Sequence, residues 1–184
     1  MTDCLVIIPT YNEKENIGKM IRTVMHLPHP FHLLIIDDNS KDGTAAIVKE
    51  LQNEFSDRLF MEQRAGKLGL GTAYIHGFNW ALKHQYQFVF EMDADFSHNP
   101  DDLVRLYRAC AEDGADLSIG SRYITGVNVV NWPMGRVMMS YFASMYVRII
   151  TGMPIRDTTA GFKCYTRRVL ETIDFGKIKF TGYA

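Results

Sequence analysis

Phe88-Val89-Phe90-Glu91-Met92-Asp93-Ala94-Asp95 decides the fold of this chain, because an unbroken apolar run ends abruptly in a cluster of acids. Leu33-Leu34-Ile35-Ile36-Asp37-Asp38 has the same arrangement earlier in the sequence. Short, branched, continuously apolar runs bounded by turn residues read as strands buried on both faces of a parallel sheet. Open α/β sheets bind ligands outside the carboxyl ends of their strands, so both acidic clusters face a ligand crevice. Asp93 and Asp95 are separated by one residue, close enough to share a hard cation through oxygen ligands. A divalent ion there implies a phosphorylated substrate.

Working outward from these runs, residues 4–9 read as the first strand and 10–13 as the turn after it. Ile17, Met20, Ile21 and Val24 recur at helical spacing within 13–26. Residues 32–38 form the second strand, and Asn39-Ser40-Lys41-Asp42-Gly43 turns the chain into a helix over 44–55. A short strand at 58–63, a glycine-rich loop at 66–71, a helix at 72–84 and a strand at 87–92 follow. Asn99 as N-cap and Pro100 at the first helical position open a helix to 111, and 116–120 is a fifth strand. This alternation specifies a mostly parallel α/β sheet flanked by helices, in one domain over 1–184 without repeat or linker.

The 184 residues are 47% hydrophobic and 22% charged, enough to bury a sizeable core. A net charge of -1 argues against a general nucleic-acid binder, which carries a basic excess. Cys4, Cys110 and Cys164 are far apart and read as reduced thiols of a cytosolic protein, not as a zinc site or disulfide framework. The apolar run at 5–8 is too short for a signal peptide. No run reaches the roughly 20 apolar residues that a spanning helix needs. Phe180-Thr181-Gly182-Tyr183-Ala184 has neither cap nor polar tail and reads as a cut inside a segment, making the domain C-terminally truncated.

Residues 134–150 stand apart. Met138, Met139, Tyr141, Phe142, Met145, Tyr146, Val147, Ile149 and Ile150 cover most of a helix that Arg136 and Arg148 interrupt. Two arginines make it a poor spanning helix. Two readings stay open: an amphipathic helix lying in a membrane interface, or a helix packed on the sheet with methionine as gap filler.

Five stretches now support a resemblance. Ile7-Ile8-Pro9-Thr10-Tyr11-Asn12-Glu13 resembles the opening motif of family 2 glycosyltransferases, and Asp37-Asp38-Asn39-Ser40-Lys41-Asp42-Gly43-Thr44 resembles their second strand and turn. Met92-Asp93-Ala94-Asp95-Phe96-Ser97-His98-Asn99-Pro100 resembles the D-x-D metal motif of dolichyl-phosphate (polyprenyl-phosphate) mannose synthases. Gly120-Ser121-Arg122-Tyr123 and Asp157-Thr158-Thr159-Ala160-Gly161-Phe162 match two further stretches of that subfamily. A lone D-x-D is a weak signal, but five motifs in order are a strong one.

The resemblance implies a GT-A fold, Rossmann-like and nucleotide-sugar-binding. It implies that Pro9, Tyr11, Glu13, Ile36 and Asp38 cradle base and ribose, with Asp93, Ala94, Asp95, Ser97 and Arg122 completing the donor site. Asp95, Asp93 and Ser97 would hold Mg2+ or Mn2+. Ser97 stands where some relatives have a ligating Gln, and its shorter side chain leaves direct or water-mediated ligation open. Arg122, Arg136 and Ser140 would hold the acceptor's lipid phosphate. Ser140 lies one helical turn beyond Arg136, and an arginine fork beside a hydroxyl suits a phosphate. The catalytic residues on this reading are Asp95, Arg122 and Arg136.

Simpler roles compete for some residues. Asp37 or Asp38 could cap the turn that follows. The two arginines could be an ordinary surface pair, and His26, His29 and His32 a solvated loop. Gly66-Lys67-Leu68-Gly69-Leu70-Gly71-Thr72 lacks the ending of a P-loop and follows the third strand, so it is no dinucleotide fingerprint. The subfamily has a similar stretch backing the donor site.

The expected reaction is transfer of a hexose, mannose from GDP-mannose, to a dolichyl or polyprenyl phosphate. It is metal-dependent and inverting, at the cytoplasmic face of a membrane. The rivals are a UDP-glucose:polyprenyl-phosphate glucosyltransferase, a sugar-nucleotide pyrophosphorylase, and a catalytically silent lipid-binding fragment.

Overall fold

A computed structural model of the chain describes residues 2–122, 134–153 and 155–178, with backbone alone at 136 and 137. Four strands pair in parallel: β1 (Cys4–Thr10), β2 (His32–Asp37), β3 (Leu59–Gln63) and β4 (Phe88–Glu91). Helices α1 (Lys14–Met25), α2 (Thr44–Glu54) and α3 (Leu70–Lys83) connect them. Then come α4 (Asp102–Ala111), β5 (Leu117–Ile119), α5 (Met134–Thr151), β6 (Lys163–Thr166) and α6 (Arg167–Thr172). The sheet order is β3-β2-β1-β4-β6-β5.

Both faces of the sheet are covered, which is why its central strands tolerate continuous apolar runs. Val6, Ile8, Leu33, Ile35 and Phe90 pack on one face with Ile17, Met20, Ile21 and Val24 of α1 and Leu103 of α4. Leu5, Ile7, Leu34, Ile36 and Val89 pack on the other with Ala73, Tyr74 and Phe78 of α3.

Besides α6, which the sequence reading lacks, and α3, which starts at Leu70 inside the expected glycine-rich loop, two elements depart from that reading. β6 is a sixth strand, antiparallel to both β4 and β5. Its four residues are too short to show an alternation pattern, and it is held by partners distant in sequence. The helix expected from Pro100 starts at Asp102 instead. Asn99 caps the turn before it, its side-chain oxygen accepting the Asp101 N–H at 3.2 Å and its carbonyl the Asp102 N–H at 3.1 Å.

The antiparallel strand matters for the site. Lys163 at the start of β6 lies opposite Glu91 at the end of β4, and also opposite Ile119 at the end of β5. The loop before β6, the turn after β5 and the carboxyl ends of β1, β2 and β4 therefore share one edge. Asp157, Arg122 and Asp93 reach that edge from distant parts of the sequence.

Candidate active site at the carboxyl edge of the sheet

The first acid of β2's terminal pair is structural. Asp37 is fully buried and accepts hydrogen bonds from the Ser40 N–H (3.1 Å), the Ser40 hydroxyl (2.6 Å) and the Thr10 hydroxyl (3.1 Å). It caps the turn, as one of the two readings had it. The Asp38 carboxylate is also engaged. Arg64 grips it with Nε at 2.6 Å and Nη2 at 2.8 Å, and the Leu68 N–H donates to it at 3.1 Å. Asp38 therefore ties the loop at 66–69 to the sheet edge, with its charge already matched by Arg64. Arg64 was missed from sequence because 26 residues separate it from Asp38.

The expected base cradle is only partly open. Tyr11 is exposed, with the Lys67 ammonium 4.4 Å from its ring centre, while Glu13 is half-buried beside Asn16. Pro9 is half-buried at the end of β1. Ile36 is fully buried among the residues facing α3, so the fold does not bring its side chain into the crevice.

At the end of β4 the chain turns through Asp93-Ala94-Asp95-Phe96-Ser97. Asp95 is exposed, and one of its oxygens accepts the Ser97 N–H at 2.9 Å. Phe96 sits at φ 59°, a left-handed conformation that costs a phenylalanine on the order of 1 kcal/mol. Asp93 receives the Tyr74 hydroxyl at 3.2 Å. Burial, reinforced by the charge of Asp95, pushes the Asp93 carboxyl up to about 6. A site that crowds acids in this way gains most from a cation, and its oxygen donors match a hard divalent ion. Among the described residues no group of three or more His, Cys, Asp or Glu is arranged to hold a metal alone. The residues thus fit an ion whose coordination is completed by phosphate oxygens or water. Gly161 packs closely here: a Cβ on it would come within 3.2 Å of Asp93 Oδ2 and crowd that carboxylate.

Arg122 follows β5 and is only 8% exposed. Asp157 takes it bidentately, from Nε at 2.8 Å and Nη2 at 2.7 Å, and accepts its backbone N–H at 3.1 Å. Nη2 also donates to the hydroxyls of Thr159 at 2.7 Å and Ser140 at 3.4 Å. Burial alone would raise the Asp157 carboxyl, but the Arg122 hydrogen bonds and charge outweigh it and hold the group below the usual carboxylate range. The fold thus brings Arg122 and Ser140 together. The Arg136 side chain and Tyr123 lie outside the described residues. The sequence reading left Asp157 and Thr159 without a partner, since nothing local links them to Arg122. Gly120 precedes this cluster; a Cβ there would meet Phe162 Cδ1 at 2.5 Å.

His98 stacks on Phe162 with ring centres 5.1 Å apart. Burial first, and then the charge of Arg122, keep it below the ordinary histidine range, while Asp95 and Asp157 act in the opposite direction. One imidazole is therefore within electrostatic reach of both Asp95 in the acidic turn and the arginine cluster. Glu91, the third acid of the β4 cluster, is not part of this turn. It is buried against Lys163 (3.3 Å) and the Tyr165 hydroxyl (3.1 Å) of β6.

The three histidines do not share one solvated loop: His26 caps α1, His29 lies half-buried between the elements and His32 opens β2. His26 Nδ1 meets the Arg22 carbonyl at 2.6 Å, His29 stacks on Tyr107, and His32 meets the Tyr86 hydroxyl at 2.6 Å.

The family model described as Glycosyl transferase family 2 matches residues 5–174, nearly the whole chain. The chain belongs to glycosyl transferase family 2. Within the family it is 47% identical over 179 residues to a polyprenol monophosphomannose synthase of Mycolicibacterium smegmatis, covering 97% of this chain and 67% of that protein. It is 41% identical to an undecaprenyl-phosphate mannosyltransferase of Micrococcus luteus, covering 97% of this chain and 72% of that protein. In three dimensions the family 2 chain resembles a mannosyltransferase from Pyrobaculum calidifontis, solved with GDP-Man and Mn2+. That match has a TM-score of 0.62 at 22% identity, over 94% of this chain and 46% of the other, and shows a shared fold. The chain thus spans about two thirds to three quarters of the two bacterial relatives and about half of the solved structure.

Proposed function

We propose that this chain is the catalytic part of an inverting hexosyltransferase that moves mannose from GDP-mannose onto a polyprenyl or dolichyl phosphate. The observation that carries this reading is that Asp93 and His98 of the acidic turn both flank Gly161, in the loop whose Asp157 holds the buried Arg122. The kinship to two polyprenyl-phosphate mannosyltransferases supports the substrate classes.

On this reading Tyr11 and Glu13 bind the nucleoside while the acidic turn faces the diphosphate. Asp95 and Asp93 hold a Mg2+ or Mn2+ ion, with Ser97 reaching it through water. Once bound, that ion supplies positive charge to the departing diphosphate. The acceptor phosphate is already an anion and needs no general base. One of its oxygens forms a bond to the anomeric carbon as the bond to the diphosphate breaks, so the configuration inverts.

Arg122 alone cannot neutralise that acceptor, because Asp157 already balances its charge. Asp157 instead fixes the plane of the guanidinium, and Arg136, one helical turn before Ser140, provides the second positive charge. The domain works at the cytoplasmic surface of a membrane, with α5 in the interface and its arginines at headgroup level. Among the described residues no helix is long and apolar enough to cross a membrane.

Calorimetry with GDP-mannose, UDP-glucose and UDP-GlcNAc, each with and without Mn2+, tests the donor. The expected result is tightest binding of GDP-mannose, dependent on Mn2+ and abolished by Asp95→Ala with the melting temperature unchanged. Preference for a uridine donor would replace the mannosyl reading with the glucosyl one. Undiminished Mn2+-dependent binding by Asp95→Ala would remove the metal assignment.

A further inference from the structure

Helix α5 meets the rest of the molecule through an unusual face. Ser144 is buried and accepts the Thr158 hydroxyl at 3.5 Å, while Ser140 meets Arg122. Its apolar side chains point away, with Met139, Tyr146, Ile149 and Ile150 each about two thirds or more exposed. Beside this apolar face lies a cavity of about 250 Å³ lined by Tyr141, Met145, Arg148 and Arg156. The first three follow one another along α5 at four- and three-residue spacings, so they share a face. Arg156 comes from the loop after the helix and brings a second guanidinium to the same hollow.

Both arginines are exposed, and among the described residues neither has an ion-pair partner. The surrounding sequence offers none nearby. From Leu117 to Arg156 there is no aspartate, glutamate or lysine, and the only charged side chains are Arg122, Arg136, Arg148 and Arg156. Arg122 is committed to Asp157. A pair of unmatched guanidiniums beside an apolar face is complementary to an anion that comes attached to hydrocarbon.

We propose that Arg148 and Arg156, with Tyr141 and Met145, form a docking site for the phosphodiester headgroup of an anionic bilayer lipid, separate from the acceptor site at Arg122. The site rests on the reading of α5 as membrane-facing and adds a lipid preference to it. Met145 and Tyr141 border the acyl side of the headgroup, and the two guanidiniums take its phosphate oxygens. Arg156 is also the residue before Asp157, so an occupied site steadies the strand of chain that orients Arg122.

The test is flotation of the 184-residue chain with vesicles of phosphatidylcholine alone and of equimolar phosphatidylcholine and phosphatidylglycerol. The wild type is expected to bind the anionic vesicles more tightly, by about fivefold for each arginine engaged. The double variant Arg148→Gln/Arg156→Gln should lose this advantage while keeping its affinity for neutral vesicles, its melting temperature and its nucleotide binding. Arg105→Gln/Arg108→Gln on α4 removes the same charge elsewhere and should keep the advantage. An advantage that survives in the first variant, or is lost equally in the control, overturns the site. Equal wild-type binding to both vesicles overturns it too, with the membrane-facing α5 left standing, whereas no flotation with either removes both. In detergent, mannosyl transfer to a short-chain polyprenyl phosphate should show the same acceptor KM for wild type and double variant. A raised KM would assign the pair to the acceptor site instead.

Discussion

Helices α1 and α5 are both amphipathic, and they face opposite ways. In α1, Ile17, Met20, Ile21, Val24 and Met25 are buried under the sheet and the charged residues face solvent. In α5 the serines face the protein, and Met138, Met139, Phe142, Tyr146, Ile149 and Ile150 face outward. An apolar stripe on a helix shows that it will be buried, but does not name the medium that buries it. For α1 the medium is the protein core. For α5 the exposed stripe is larger than isolated surface hydrophobics require, which marks an interaction face. The contrast also separates two jobs: α1 holds the fold, and α5 meets the Arg122 cluster through Ser140.

The sharpest way to break this comparison is to change Met138, Met139, Phe142 and Met145 to serine. Each side chain contributes about 1.5–3 kcal/mol when moved from water into an apolar phase. Flotation on vesicles should therefore vanish, and the melting temperature should hold because none of the four is in the core. A large fall in melting temperature would make α5 a second α1. Next in size is Asp157→Ala, which leaves Arg122 buried without its partner and should cost about 3–5 kcal/mol in chemical denaturation. It should also loosen the seat of α5, read as faster hydrogen exchange across 140–151.

The same pair predicts an acid limit. Because the folded Asp157 carboxyl lies below its ordinary value, its contribution to stability is present above about 3.9 and is lost as pH falls through the lower folded value. Wild-type stability should thus drop more steeply at low pH than that of Asp157→Asn. Equal slopes in pH-dependent denaturation would show that the ion pair is not formed in solution.

Ile21→Ala in α1 should cost about 2–5 kcal/mol of stability without changing lipid binding, the mirror image of the four-serine variant. The smallest effect belongs to Ser144→Ala, which removes one long hydrogen bond and should change stability by about 1 kcal/mol or less. A loss as large as that of Ile21→Ala would mean that the polar face of α5 carries more of the fold than its geometry implies.

Much of this molecule could be read from local pattern. The apolar runs before Asp37 and Asp93 identified β2 and β4 because strands covered on both faces leave no polar position. The four-residue recurrence in α1 did the same for a helix. Asp93 and Asp95 stood out because two acids at the end of such a run have few structural uses. What escaped was non-local. Arg64 and Asp38 are 26 residues apart, Arg122 and Asp157 are 35 apart, and neither pair leaves a periodic trace. β6 escaped because four residues, Lys163–Thr166, are too few to carry a pattern.

The sequence by itself determined the α/β class, the order of most elements, the acidic turn and the existence of an apolar helix at 134–150. These depend on period and composition within a window of neighbouring residues. Only the tertiary structure decided that Asp38 is already neutralised, that Asp157 rather than solvent holds Arg122, and that the serine side of α5 turns inward. Those outcomes depend on which distant groups meet when the antiparallel β6 brings its preceding loop to the sheet's carboxyl edge. A buried charge takes whichever opposite charge the fold delivers, and that choice is made in space rather than along the chain.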